Sequence, residues 1–99
     1  MDIKIQSLRF NATENLQAFI EKKCMKLQKI YEDIQRVEVV LKVVKPETSM
    51  NKKASLSVFI PNSELFAEKT CDTFEQAVDE SLEAIARQIL KSKEKQRVK

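Results

Sequence analysis

The spacing of hydrophobic residues switches repeatedly between a period of two and a period of three to four. Residues 2–8 alternate, with Ile3 and Ile5 on one side and Lys4 and Gln6 on the other, which predicts a half-buried strand. Phe10-Asn11-Ala12 turns the chain. Leu16, Phe19, Ile20, Cys24, Leu27 and Ile30 then form the stripe of an amphipathic helix reaching about Tyr31, with Thr13 as N-cap and Glu14 in the first turn. Over residues 36–45 the alternation returns: Val37, Val39, Leu41 and Val43 make one apolar face, and Glu38, Val40, Lys42 and Val44 a mixed one. Residues 46–53 are polar and contain the breaker Pro46, so a loop is expected, with Lys52 and Lys53 at its end. A further strand sets Ala54, Leu56, Val58 and Ile60 against Ser55, Ser57 and Phe59 and ends at the turn pair Pro61-Asn62. Residues 63–71 predict a fourth strand of open register, because Leu65 and Ala67 compete with Phe66 for the inner face. The last quarter, residues 72–99, reads as one long helix with Phe74, Ala77, Val78, Leu82, Ile85 and Ile89 on its stripe. Asp72 with Glu75, or Thr73 with Gln76, forms a capping box at its start, and residues 96–99 are expected to fray.

This order, β-α-β-β-β-α, predicts an α+β fold in a single domain over residues 1–99: a four-stranded sheet with two helices packed on one face. Helices lying side by side expose their polar sides together. Lys22, Lys26 and Lys29 of the first are then expected beside Arg87, Lys91 and Lys95 of the second, in one positive groove.

Composition narrows the chemistry. A hydrophobic content of 42% with 33% charged residues is that of an ordinary globular domain, and no apolar run approaches the roughly 20 residues of a membrane span. With no signal-like start, a cytoplasmic location is expected. The chain has no histidine and no glycine, which removes the commonest general base, the usual zinc spacings, the P-loop and the dinucleotide fingerprint. Cys24 and Cys71 are read as two buried thiols, not a disulfide. No enzyme, cofactor, metal or small-molecule substrate is expected; carboxylate pairs such as Asp79 with Glu83 read as solvated helix surface.

Charge is sorted along the final helix. Residues 72–83 carry five acids and no base, whereas from Arg87 onward six bases face only Glu94. Complementation of the helix dipole explains cations in the last turn only, and the basic run begins three turns from the end. A polyanion meeting Arg87, Lys91 and Lys95 is a better explanation, with phosphate contact and not base readout, since the sheet lacks the clustered aromatics of a base-stacking platform. The competing reading is a protein-interaction domain using Val40, Val44 and Phe59 of the open sheet face.

Val39-Val40-Leu41-Lys42-Val43, the helix opening Thr13-Glu14-x-Leu16, Lys23-x-x-Lys26-Leu27, and Ala86-Arg87-Gln88 followed by Lys91, Lys93 and Lys95 together resemble the short form of the ribosome hibernation-promoting factors and ribosome-associated inhibitors. Phe74 stands where that family often has tyrosine. The resemblance implies that basic helices bind rRNA of the small ribosomal subunit, in the channel of messenger and transfer RNA, and block translation in stationary phase or stress. Short forms generally act with a second small factor that dimerises ribosomes. The residues singled out for rRNA are Lys23, Lys26, Lys42, Lys45, Arg87, Lys91, Lys93 and Lys95, with Lys22 and Lys29 behind them.

Overall fold

The computed structural model describes residues 2–8, 12–44, 50–61 and 63–97, the last six of these as backbone only. Its elements are β1 (Asp2–Leu8), α1 (Glu14–Ile30), β2 (Arg36–Val43), β3 (Lys52–Ile60), β4 (Ser63–Cys71) and α2 (Phe74–Arg97). They form one sheet in the order β1-β2-β3-β4, in which β1 and β2 are parallel and the other pairs antiparallel. A parallel pair needs a crossover, and α1 supplies it.

One core lies between sheet and helices. Val37, Val39, Leu41, Ala54, Leu56 and Val58 from the sheet are fully buried against Ile20, Cys24, Ala77, Val78, Ile85 and Ile89 from the helices. Burying each large aliphatic side chain contributes about 1.5–3 kcal/mol. The alternate sheet positions, among them Val40, Lys42, Ser55, Ser57 and Phe59, are only half-buried and form the open face.

Both helix starts are built as the residue types require. The Thr13 hydroxyl oxygen accepts from Leu16 N at 3.1 Å, and that of Thr73 accepts from Gln76 N at 3.1 Å. Of the two capping boxes, Thr73 therefore supplies the cap. Asp72 turns away: its Oδ1 accepts from Met50 N at 2.7 Å and steadies a non-glycine residue at φ 54°. Beside it, Val44 N donates to Asn51 O at 2.8 Å. Lys52 and Lys53, expected at a loop end, belong to β3 and pair with Cys71 and Thr70.

The undecided register of β4 follows from the hairpin. Ile60 pairs with Ser63, which leaves a loop of two residues and puts Ser63 on the same face as the buried Ile60. Parity then sends Leu65, Ala67 and Cys71 inward, and Phe66 outward with 53% of its surface exposed. α2 runs through Arg97.

Candidate nucleic-acid interface

β1 and β4 point the same way through the sheet, and each is followed by a helix that returns across it, so α1 and α2 run parallel. Their contact shows the offset. Lys23, Lys26, Leu27 and Ile30 of α1 face Asp79, Leu82, Glu83 and Ala86 of α2 across an open groove of about 330 Å³. Ala86 is thus level with the end of α1, and the eleven residues beyond it carry α2 about 16 Å further at 1.5 Å each.

This arrangement corrects the single positive groove. Lys23 and Lys26 are level with the acidic residues Asp79 and Glu83 of α2, and α1 ends level with Ala86, where the basic half only begins. Lys23 Nζ lies 3.2 Å from Asp79 Oδ1 and 5.4 Å from the Phe19 ring centroid, on the boundary of the core stripe. Lys26 stands between that groove and the outer face of α1, where Ala18, Glu21, Lys22, Met25, Lys26 and Lys29 share a shallow depression. Lys22, Lys26 and Lys29 are exposed and, among the described residues, unpaired.

On α2, Arg87 has 74% of its side chain exposed and meets Glu83 at 3.7 Å, one turn earlier. A pair so open contributes little. Lys91 is exposed one turn further on. The side of α2 turned toward β4 is marked by Gln88, whose Nε2 donates to Phe66 O at 2.9 Å. At ~100° per residue, the step from Arg87 to Lys91 moves toward that side and away from α1. Lys93 and Lys95 lie on the described helix backbone, their side chains outside the described residues, as is Lys45.

Lys42 stands apart. It is on the open face of the sheet, opposite Lys53 of β3 and away from both helices. Other charged residues share this face along β2 and β3. Arg36 is stacked 4.3 Å from the Phe59 ring centroid and paired with Glu38 at 3.1 Å, while Lys53 meets Glu68 at 3.3 Å and Ser55 Oγ donates to the same carboxylate at 2.9 Å. Strand alternation carries the signal for these positions, since the even residues of β2 and the odd residues 53–59 of β3 share one face.

Neither thiol is poised for chemistry. Burial, and then the nearby Glu21 carboxylate, push Cys24 up to about 12. Burial also raises Cys71, whose Sγ donates to Glu80 at 3.3 Å. Both are buried and free, as expected. Among the described residues no cluster of acids and cysteines could hold a metal, and no helix is long and apolar enough to cross a membrane.

A family model described as Sigma 54 modulation protein / S30EA ribosomal protein matches residues 3–97. The chain belongs to this family. A ribosome hibernation promoting factor from Azotobacter vinelandii is 25% identical over 96 residues, which span 97% of this chain and 86% of that one. Two solved structures share the fold. A ribosomal subunit interface protein from Coxiella burnetii superposes with a TM-score of 0.84 at 22% identity, over 94% of this chain and 98% of that one. The N-terminal domain of Protein Y from Thermus thermophilus gives 0.77 at 22% identity, over 90% and 96%. Family membership agrees with the resemblance drawn from Lys42, Arg87 and their neighbours, and both structural likenesses span nearly the whole sheet and helix pair.

Proposed function

We propose that this protein is a cytoplasmic, non-enzymatic ribosome hibernation factor. It binds rRNA of the small subunit in the channel of messenger and transfer RNA, inhibits translation in stationary phase or stress, and promotes ribosome dimerisation with a second small factor. The observation that carries the reading is that Lys22, Lys26 and Lys29 on the outer face of α1 and Lys91 on α2 are exposed and, among the described residues, unpaired, in a member of a ribosomal protein family. Such cations bind by neutralising phosphates and releasing counterions. Lys22, Lys26, Lys29, Arg87 and Lys91 meet phosphate from the helix side, with Lys93 and Lys95 further along α2. Lys23 joins them when it leaves Asp79, Lys42 contributes from the end of β2, and Lys45 follows it in the sequence.

Sedimentation of stationary-phase lysate tests this directly. The protein is expected with small subunits, monosomes or ribosome dimers, and Lys91→Glu with Lys95→Glu is expected to release it from all of them; a variant that stays bound overturns the reading. Arg87→Lys is expected to weaken binding with charge unchanged, because a guanidinium grips phosphate through two hydrogen bonds and an ammonium through one point contact. The exposed Phe66, on the same open face as the half-buried Phe59 and Val40, favours the second reading, a protein-binding sheet face. Affinity that is flat in salt would select it.

A further inference from the structure

We propose that Asp79 and Glu83 act as built-in competitors for the RNA-binding cations, and so make this protein selective for densely packed, fixed phosphates over flexible RNA. The inference rests on the reading of ribosomal RNA as the ligand and adds to it a role for the acidic half of α2. The parallel register of the helices brings Asp79 to 3.2 Å from Lys23, and the i,i+4 spacing brings Glu83 to 3.7 Å from Arg87. Both acids stand on the same groove, across from Lys23 and Lys26, over the apolar floor of Leu27 and Leu82. Lys23 is held on a second side by the Phe19 ring.

A lysine that already faces a carboxylate must give up that partner to meet a phosphate, so binding there exchanges one partner for another. The exchange is favourable only where phosphates are dense enough to compensate the stranded acid. A folded ribosomal surface supplies them at fixed positions, whereas a flexible strand must order itself to do so and gains less. Lys22, Lys26, Lys29 and Lys91, unpaired among the described residues, give general affinity. Lys23 and Arg87 give discrimination.

The test measures binding of the full chain to purified small subunits and to poly(U), across a range of salt. In the wild type, poly(U) binding is carried by the unpaired lysines. Asp79→Asn and Glu83→Gln are each expected to tighten poly(U) binding about 1.5- to 5-fold, the range of an exposed ion pair, and to steepen the salt slope by about 0.7 per cation released. Small-subunit binding is expected to tighten less, so the preference for subunits falls. Glu75→Gln, an exposed acid of the same helix, controls for the general loss of negative charge. Lys23→Gln separates competition from mere repulsion: it is expected to cost little in the wild type and several-fold more in the Asp79→Asn background. Equal cost in both backgrounds, or equal effects of Glu75→Gln and Asp79→Asn, overturns the inference while salt-dependent subunit binding leaves the RNA reading standing. Subunit binding that is flat in salt overturns both.

Discussion

Cys24 shows how much one buried side chain can report. Its thiol is fully enclosed beneath α1, and burial raises it from 9.0 to about 12. The unfolded chain therefore releases this proton near pH 9 while the folded protein keeps it. The stabilisation is complete below pH 9 and is lost as pH rises toward 12, by up to about 1.4 kcal/mol per pH unit. Urea unfolding at pH 8 and pH 10.5 is expected to show a larger drop for the wild type than for Cys24→Ala, which keeps Cys71 and lacks only the thiol at position 24; parallel drops would sink the assignment. The two candidate caps make a second single-residue contrast. Thr73→Ala removes the bond to Gln76 N and is expected to cost about 1 kcal/mol in the same measurement. Asp72 was an equally good cap on paper, because both residues precede a glutamate or glutamine by three. What separates them is Met50, which claims Asp72 from 22 positions away and leaves no trace in local spacing.

At the scale of elements, periodicity carried most of the fold, and its failures have physical causes. β2 and β3 alternate cleanly because one face is core and the other open, and α1 and α2 show unbroken apolar stripes. β4 was ambiguous because its strongest hydrophobe, Phe66, points outward; parity across a two-residue hairpin decided it, and that parity is a property of the pair, not of β4 alone. The distance between α2 and the sheet was likewise invisible. Ala54, Ala67, Ala77 and Ser81 are small and buried, and Ser81 Oγ donates to Ala54 O at 3.4 Å, so the helix backbone sits close to β3 and β4. Ser81→Ala gives up only that long hydrogen bond and is expected to change stability little. Ser81→Leu forces α2 off the strands and is expected to cost about 1–3 kcal/mol, the usual range for overpacking. Thermal melts of the two variants check the contrast, and a well-tolerated leucine would mean that the helix sits further out.

At the scale of the whole molecule, the candidate site was legible as a list of residues and not as a shape. Helix periodicity found Lys22, Lys26, Lys29, Arg87 and Lys91 on exposed faces, but the relative direction of two helices depends on strand order, and the offset between them on side-chain packing. The outcome is a body 50 × 23 × 19 Å with cations on opposing sides: the α1 lysines and Arg87 with Lys91 on the helix layer, and Lys42 beside Lys53 on the open sheet. Two lysines directly opposite in a sheet repel each other, and only Lys53 has a carboxylate partner among the described residues. A single RNA duplex can meet one of these sides at a time. A channel wall surrounds its occupant and meets both. Lys42→Gln is therefore expected to leave binding to an isolated RNA hairpin unchanged and to weaken binding to the small subunit, with the salt slope falling by up to about 0.9. Lys26→Gln is expected to weaken both. Measuring the four affinities against salt separates a protein enclosed by rRNA from one lying on it: equal, negligible effects of Lys42→Gln on the two ligands would mean that only the helix layer faces the ribosome and that the open sheet is left for another partner.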